Sequence, residues 1–253
     1  MKEIELLGVT VTPATGEEIS ETILKNITEK QKCIMGTHNL HSIYLYHRLK
    51  SIRKFYALAD YIYIDGMPIV WMAKCLGYFV NRSHKSNFKD LFRTLSFAEK
   101  RAWKIFYLGA KPGVVEEGIQ NLKKDYPNLQ MGGTHGYFDA TPGSLENEEV
   151  LNIINSYQPD ILAVGMGTPR QEYWIAENYD QVHAYVIMTM GGTIDYVAGN
   201  KPLPPHWMGM LGLHWLYRLF SEPRRLWHRY LIEPWFILYL FLKDLYRYKL
   251  KQK

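Results

Sequence analysis

The stretch from Asp160 to Trp174 reads Asp-Ile-Leu-Ala-Val-Gly-Met-Gly-Thr-Pro-Arg-Gln-Glu-Tyr-Trp. Residues 161–164 form an apolar run with the length of one buried strand, and Gly165 and Gly167 end it. Pro169 stands where a helix can begin. The stretch therefore predicts a strand, a glycine-rich turn and a helix, the unit from which parallel α/β sheets are built.

Such a turn lies at the carboxyl end of its strand, where α/β proteins bind ligands. Glycine lets the backbone approach a ligand closely, and a helix N-terminus offers free N–H groups to an anion. A dinucleotide fingerprint needs a third glycine and a downstream acidic partner. Here the third glycine is absent and Arg-Gln-Glu follows at residues 170–172, which argues against a nicotinamide site. An ordinary tight loop between strand and helix is the alternative.

The rest of the chain to residue 200 repeats this alternation. Strands are predicted at residues 32–35, 59–64, 103–108, 161–164 and 184–189, and helices at residues 17–29, 40–49, 88–101, 114–126 and 146–157. A small hairpin or entry strand is expected at residues 4–12, and a second glycine-rich loop at residues 132–138. The pattern predicts a Rossmann-like, mostly parallel sheet with helices on both faces.

Glycine or polar residues follow several of these strands and should meet at one edge of a parallel sheet. They are Thr37, Asp65, Gly109, Gly165 and Gly191. Asp65 has a second interpretation as the N-cap of the next helix, because aspartate is a preferred cap. Thr37 and Asn39 have a similar one, since both residue types close turns.

Composition narrows the class of protein. The chain has 253 residues, of which 47% are hydrophobic, as in globular proteins. Cys33 and Cys75 lie in apolar stretches and are expected to be buried thiols in a reducing cytosol. The N-terminus has no apolar core of a signal peptide. We therefore expect a cytoplasmic protein.

The positive charge is concentrated at the C-terminus. Residues 218–253 contain nine Lys or Arg and three Asp or Glu, whereas the rest of the chain contains 21 basic and 22 acidic residues. After residue 200, prolines interrupt the pattern, and aromatic side chains then alternate with arginines. We predict two domains, an α/β domain at residues 1–200 and a basic, helical appendage at residues 201–253.

Short helices are expected at residues 211–221 and 223–232, with a third helix from Pro234. The apolar run at residues 235–242 is too short to span a bilayer, which takes about 20 residues. Trp and Tyr beside Lys and Arg favour a helix that lies in the membrane interface. Packing onto the domain core, a homo-oligomer interface and single-stranded nucleic acid are the alternatives, but no nucleic-acid motif accompanies the last.

Several segments, in order, resemble the bacterial WecG/TagA/CpsF glycosyltransferases (glycosyltransferase family 26), from about Leu7 to the C-terminal helices. The segment Gly-Met-Gly-Thr-Pro-Arg-Gln-Glu at residues 165–172 matches the signature of that family closely. Thr-His-Asn at residues 37–39, Asp-Gly-Met-Pro at 65–68, Gly-Gly at 191–192 with Asp195, and Glu-Pro-Arg-Arg at 222–225 resemble further family segments.

The resemblance implies transfer of a sugar from a UDP-sugar to a polyprenyl-diphosphate-linked saccharide, on the cytoplasmic membrane face. It implies inversion at the anomeric centre without a metal ion or other cofactor. N-acetylmannosamine-type, uronic acid and glucose-type donors are all compatible with it. The process would be cell-surface polysaccharide synthesis, such as that of teichoic acid, and an anionic membrane surface would be a partner.

The resemblance also implies roles for individual residues. Asp65 would be the general base, and Thr37 and Asn39 would position the sugar. The donor site would comprise Gly109, Gly165, Gly167, Arg170, Gln171, Gly191, Gly192 and Asp195. The acceptor diphosphate and the membrane would be met by Arg82, Arg218, Arg224, Arg225 and Arg229.

One segment departs from the family. Its usual Arg-Val-x-Gly-x-Asp-Leu corresponds here to residues 82–88, with Lys85 at the glycine and Asn87 at the aspartate. This departure keeps a second interpretation open, a membrane-associated scaffold that binds UDP without catalysis. An epimerase is a weaker rival, because no nicotinamide fingerprint is present.

Overall fold

The computed structural model describes residues 3–84, 88–202, 205, 208 and 214–251. Within that part of the chain, the long strands are β3 (Cys33–His38), β4 (Tyr61–Ile64), β5 (Lys104–Gly109), β6 (Gln130–Thr134), β7 (Ile161–Gly165) and β8 (Val186–Thr189). They form one parallel sheet in the order β4-β3-β8-β7-β5-β6. The predicted parallel α/β fold is confirmed.

Helices connect these strands. They are α1 (Gly16–Thr28), α2 (Leu40–Arg48), α3 (Lys50–Leu58), α4 (Met67–Cys75), α5 (Phe88–Arg101), α6 (Val114–Asp125), α7 (Leu145–Tyr157), α8 (Arg170–Asn178) and α9 (Thr193–Val197). The C-terminal part contains α10 (His214–Ser221), α11 (Pro223–Trp227), a π-helical turn (His228–Ile232) and α12 (Glu233–Lys251).

Two hydrophobic cores lie on the opposite faces of the sheet. Successive side chains of a strand point to opposite faces, so Phe106 and Leu108 of β5 enter one core, whereas Ile105 and Tyr107 enter the other. Because both faces of the sheet are covered, a central strand such as β7 is apolar and buried along its whole length rather than alternating.

A hairpin precedes the sheet. Strands β1 (Ile4–Leu6) and β2 (Val9–Val11) pair antiparallel, which confirms the predicted hairpin. Thr12 then bridges to Tyr63, and its N–H donates to the Ile62 carbonyl at 2.8 Å. The hairpin thereby covers part of the edge that β4 would otherwise leave open.

The helix predicted at residues 40–49 is confirmed as α2. Helix α3, which follows at once after an extended Leu49 with φ −113° and ψ 127°, was not predicted. Two local predictions were wrong. Gly132 and Gly133 lie in β6 rather than in a loop. The Tyr157 ring and the Tyr107 carbonyl leave no room for a side chain at these two positions, which explains why both are glycine. Cys75 is exposed, whereas Cys33 is buried as predicted.

The C-terminal helices differ from the prediction in their boundaries. The start predicted for the first of them, at residues 211–213, lies outside the described residues, and α10 is described from His214. The helix predicted at residues 223–232 is α11 followed by the π-helical turn, which runs directly into α12. The domain boundary at residue 200 remains a prediction.

Helix α12 has two apolar faces. Ile237 is buried in the core that α2 and α4 also line, and Phe236 and Leu240 pack against it. The opposite face is exposed, with Trp235 71% and Tyr239 61% accessible. Packing onto the core therefore accounts for only half of the aromatic side chains of α12, because Phe236, Phe241 and Tyr248 contact the core whereas Trp235, Tyr239 and Tyr246 are exposed. Among the described residues, each helix is too short or too polar to cross a bilayer.

Candidate active site

A cleft of about 1150 Å³ lies over the carboxyl ends of the strands. Thr37 of β3, Asp65 after β4, Gly165 of β7 and Gly191 after β8 all line it. Pockets for drug-sized ligands typically measure about 300–1,000 Å³. The cleft therefore has room for a ligand somewhat larger than these, or for two adjacent ligands.

Positive charge dominates the described lining of the cleft. Six basic side chains stand against three carboxylates there. The basic residues are Lys111, Arg170, Lys201, Arg218, Arg225 and Arg229, and the acidic residues are Asp65, Asp195 and Glu222. This balance favours an anionic ligand.

Asp65, Asn39 and Arg229 meet at one end of the cleft. The Asn39 Nδ2 lies 3.4 Å from Asp65 Oδ2, and the Arg229 Nη2 lies 3.4 Å from Asn39 Oδ1. The Asp65 N–H donates to the His38 carbonyl at 2.8 Å, which fixes Asp65 beside the end of β3. Burial lowers the pKa of Arg229, although the nearby Asp65 carboxylate acts in the opposite direction.

The two interpretations of Asp65 are now separated. Helix α4 has Gly66 at its N-cap, with no side-chain cap bond, so Asp65 does not cap it. Asn39 is instead the N-cap of α2, because its Oδ1 accepts the N–H groups of His41 and Ser42 at 3.1 Å each. Asn39 therefore closes its turn as the local pattern predicted, while its amide still reaches Asp65.

Thr37 occupies the next position toward the centre of the sheet. Its hydroxyl lies 3.4 Å from that of Thr189 in the neighbouring strand β8. Both side chains line the cleft. They offer a ligand two hydroxyl groups that can each donate or accept.

The turn after β7 lines the cleft with its glycine backbone. Gly167 has φ +82°, and a Cβ built there would meet open space. Arg170 begins α8, and its Nη2 donates to the Phe138 carbonyl at 2.5 Å. The glycine backbone and the start of the helix therefore face the cleft together.

Gln171 and Glu172 lie beneath this turn and are buried. Gln171 Oε1 accepts the Gly191 N–H at 3.1 Å, and its Nε2 donates to Glu172 Oε1 at 2.9 Å. The Gln171 amide thus ties the turn after β7 to the turn after β8. Burial raises the pKa of Glu172.

The turn after β8 contributes the remaining predicted donor residues. Gly191 has φ +53°, and Gly192 precedes α9. Asp195 Oδ2 lies 3.5 Å from Lys201 Nζ, and both side chains line the cleft. The structure therefore brings Gly165, Gly167, Arg170, Gln171, Gly191, Gly192 and Asp195 together.

Gly109 has a different place. It is buried in β5 opposite Gly165, and a Cβ built on it would lie 2.4 Å from the Gly165 carbonyl carbon and oxygen. It is not among the residues that line the cleft. The glycine at this position allows β5 and β7 to approach each other closely. A contact between Gly109 and the donor remains a prediction.

The arginines predicted to meet the acceptor diphosphate or the membrane divide into two groups. Arg218, Arg225 and Arg229 line the cleft, and the buried Arg218 Nε has no hydrogen-bond partner among the described residues. Arg224 and Arg82 are exposed and are not among the residues that line the cleft. For Arg224 and Arg82, a contact with the membrane or the acceptor stays a prediction.

Sequence reasoning missed several residues of the site. Lys111 follows the end of β5, and this position alone could have marked it as a candidate. Lys201 lies in the segment after α9, where the sequence carries no comparable signal. Glu233 accepts a hydrogen bond from His41 across 192 positions of sequence, a contact that no local pattern predicts.

Among the described residues, no group of three or more His, Cys, Asp or Glu side chains is arranged so that it could hold a metal ion. The expected metal independence remains a prediction.

Residues 4–251 of the chain match the protein family described as "Glycosyl transferase WecG/TagA/CpsF family". The chain is also similar to proteins named N-acetylglucosaminyldiphosphoundecaprenol N-acetyl-beta-D-mannosaminyltransferase from Staphylococcus aureus. Identity is 34% for strains MW2 and NCTC 8325 and 33% for strain MRSA252.

Each of these matches extends over 169 residues, which is 66% of this chain and 64% of the length of the relative. The family match extends over nearly the whole sequence, including the strand ends that form the cleft and the helices that supply its arginines. The chain therefore belongs to the glycosyl transferase WecG/TagA/CpsF family.

Proposed function

We propose that this chain transfers a sugar from a UDP-sugar to a polyprenyl-diphosphate-linked saccharide, with inversion and without a metal ion. The names of its relatives favour an N-acetylmannosamine-type donor and an N-acetylglucosaminyl-diphosphoundecaprenol acceptor. The observation that carries the proposal is that a carboxylate, Asp65, shares one cationic cleft with the glycine-rich turn after β7.

The donor diphosphate fits the side of the cleft that β7 and β8 form. Gly167, where a Cβ would meet open space, lets the backbone of the turn approach phosphate oxygens closely, and the start of α8 adds a favourable dipole. Arg170 and Lys111 supply charge from neighbouring turns. Asp195 would hold the nucleotide.

Asp65 is suited to the role of general base. An inverting transfer requires a group that removes the proton of the acceptor hydroxyl as that oxygen attacks the anomeric carbon. Asp65 is only partly buried and lines the cleft. Asn39 Nδ2, 3.4 Å away, would fix the rotamer of the carboxylate while leaving an oxygen for the acceptor.

Arginine side chains would stabilise the charge that develops on the departing UDP. A positively charged group placed before the reaction lowers the barrier without reorganising, and guanidinium groups grip phosphate through two parallel bonds. Arg218 and Arg229 are the best candidates, because the buried Nε of Arg218 has no partner among the described residues and Arg229 lies near Asp65.

The outer face of α12 is suited to a membrane surface. Its exposed apolar side chains are Trp235, Leu238, Tyr239, Leu242, Tyr246 and Leu250. At 100° per residue they share one side of the helix, and the exposed Lys243 and Arg247 flank it. An apolar stripe with basic flanks binds the interface of an anionic bilayer. Docking through α12 would bring the cleft to a lipid-linked acceptor.

A non-catalytic scaffold that binds UDP is the rival proposal. It was motivated by Lys85 and Asn87, which lie outside the described residues. The described part of the cleft retains Thr37, Asn39 and Asp65 together, which favours the enzyme.

The test is a transfer assay with the full chain, anionic liposomes, a panel of UDP-sugars and a polyprenyl-diphosphate-linked N-acetylglucosamine, in the presence of EDTA. We expect one donor to release UDP and to yield a product of inverted anomeric configuration, identified by NMR. Binding of UDP without turnover of any donor would favour the scaffold instead. Turnover that EDTA abolishes would overturn metal independence alone.

A further inference from the structure

Glu233 is a buried carboxylate at the junction of the π-helical turn and α12. Its side chain is 4% exposed. Its Oε2 accepts from His41 Nδ1 at 2.7 Å, and its Oε1 lies 3.4 Å from His228 Nδ1. Because a buried carboxylate is costly without partners, these two imidazoles hold Glu233 in one position.

His41 connects this carboxylate to the reaction end of the cleft. The His41 backbone N–H donates to Asn39 Oδ1 at 3.1 Å, while its ring donates to Glu233. Asn39 in turn reaches Asp65 Oδ2 at 3.4 Å. One residue at the start of α2 therefore touches both the C-terminal helix and the side chain that orients the proposed base.

The π-helical turn gives Arg229 its place in the same arrangement. The Glu233 N–H donates to the carbonyl of His228, five residues earlier, which brings His228 and Glu233 to the same side of the turn. Arg229 follows His228 directly, and its Nη2 lies 3.4 Å from Asn39 Oδ1. From one turn of the chain, the carboxylate thus contacts His41 and the guanidinium lies near Asn39, so both meet the start of α2.

We propose that Glu233 is a positioning residue: held by His41 and His228, it seats the π-helical turn against the start of α2 and so places Arg229 beside Asn39 and Asp65. The proposal rests on the proposed function, in which Arg229 meets the leaving or acceptor diphosphate. It assigns to Glu233 an effect on transfer that passes through Arg229 and leaves the donor side of the cleft unchanged.

The first measurement is a double-mutant cycle on full-length protein. We expect Glu233→Ala to lower kcat by about 100-fold, the scale of a misplaced catalytic contact. Its Kd for UDP should stay that of the native chain, because the turns after β7 and β8 are untouched. In an Arg229→Ala background, adding Glu233→Ala should lower kcat no further. Glu233→Gln, which retains an acceptor for His41, should recover part of the rate.

Asp244→Ala is the matched control on the same helix. Asp244 Oδ2 accepts the Leu7 N–H at 3.0 Å, and it lies 11 residues beyond Glu233, or roughly 16 Å along α12. This variant should lower the melting temperature yet retain the native kcat. Equal loss of kcat in Asp244→Ala would show general loosening of α12 and overturn the proposal.

Hydrogen exchange provides a readout that does not depend on transfer. Glu233→Ala should speed amide exchange in the first turn of α2 and in residues 228–233, but not in α8. Unchanged exchange there, or a double variant far slower than Arg229→Ala, would refute the role of Glu233. If the native chain transfers no sugar, the proposed function fails, while the exchange data still decide whether Glu233 seats this turn.

Discussion

Gly66, and not Asp65, is the N-cap residue of α4. Its φ of 104° is readily adopted by glycine and is strained for other residues. The sequence allowed both a cap and a base at Asp65, because both place an aspartate after a strand. The structure excludes the cap, because α4 has no side-chain cap bond, and it places the Asn39 amide, 26 positions away in sequence, 3.4 Å from Asp65 Oδ2. The role of Asp65 as base stays a prediction. At Asn39 the local pattern was sufficient, since capping depends on residues two and three positions away.

Glu172 yields a prediction about pH. Its Oε1 accepts from Thr168 Oγ1 and Gln171 Nε2 at 2.9 Å each, but the buried Oε2 has no partner in the described structure. Burial raises the pKa of Glu172 above the ordinary value of 4.5. A group with a raised pKa in the folded chain stabilises it fully below the unfolded pKa, and this contribution is lost as pH rises.

Glu172→Gln cannot ionise, so its melting temperature relative to the native chain should increase as pH rises from about 4 to about 8. Each kcal/mol corresponds to about 2–4 °C in a chain of this size. Differential scanning calorimetry across that range is the measurement. Glu177→Gln on the same helix is the control, because Glu177 pairs with Lys54 at 2.9 Å. A difference that does not change with pH would contradict the prediction.

At the scale of elements, hydrophobic runs and glycines located most strands, because β3, β4, β5, β7 and β8 are buried on both faces. Strand β6 escaped prediction because Gly132 and Gly133 read as a loop. In the fold, close neighbours exclude a side chain at both positions. A Cβ atom built on Gly132 would lie 2.8 Å from the Tyr157 ring, and one built on Gly133 would lie 2.5 Å from the Val115 side chain. A sequence does not show which neighbour removes the space for a side chain.

The pairing of β5 with β7 should not tolerate Gly109→Ala. The added Cβ would lie 2.4 Å from backbone atoms of Gly165, which cannot move without disturbing the glycine-rich turn. We expect a loss of about 3 kcal/mol, the upper part of the range for overpacking. Gly143→Ala meets open space at φ +79° and should cost only about 1–2 kcal/mol of backbone strain. Urea unfolding compares the two, and equal losses would contradict this explanation.

The outer face of α12 should bind membranes. The double variant Leu238→Glu and Leu242→Glu places two charges in the exposed stripe without touching Ile237 on the inner face. Burial of a leucine contributes about 1.5 kcal/mol or more, so binding to anionic liposomes should weaken about tenfold or more. Leu145→Glu, at an 84% exposed leucine of α7, should leave it unchanged. Sedimentation with vesicles decides, and equal effects would argue against α12 as the docking element.

At the scale of the whole molecule, the C-terminal segment belongs to both the core and the cleft. Ile237 is buried in the core, and Arg218, Arg225 and Arg229 line the cleft. The count of charged residues predicted a basic appendage with an anionic partner. Composition gives the net charge of a segment but not the direction in which each side chain points. It did not predict which arginines face inward, because that depends on contacts remote in sequence, such as the one between Arg229 and Asn39 across 190 positions.

Asp65 is proposed as the base of the sugar transfer in this cleft. The most direct measurement compares kcat and the Kd for UDP of the native chain and Asp65→Asn, with the donor and acceptor that support turnover. Asparagine preserves the shape of the side chain but cannot accept the proton. We expect kcat to fall on the order of 10²- to 10⁴-fold with the Kd for UDP unchanged. An Asp65→Asn enzyme as fast as the native one would contradict the claim.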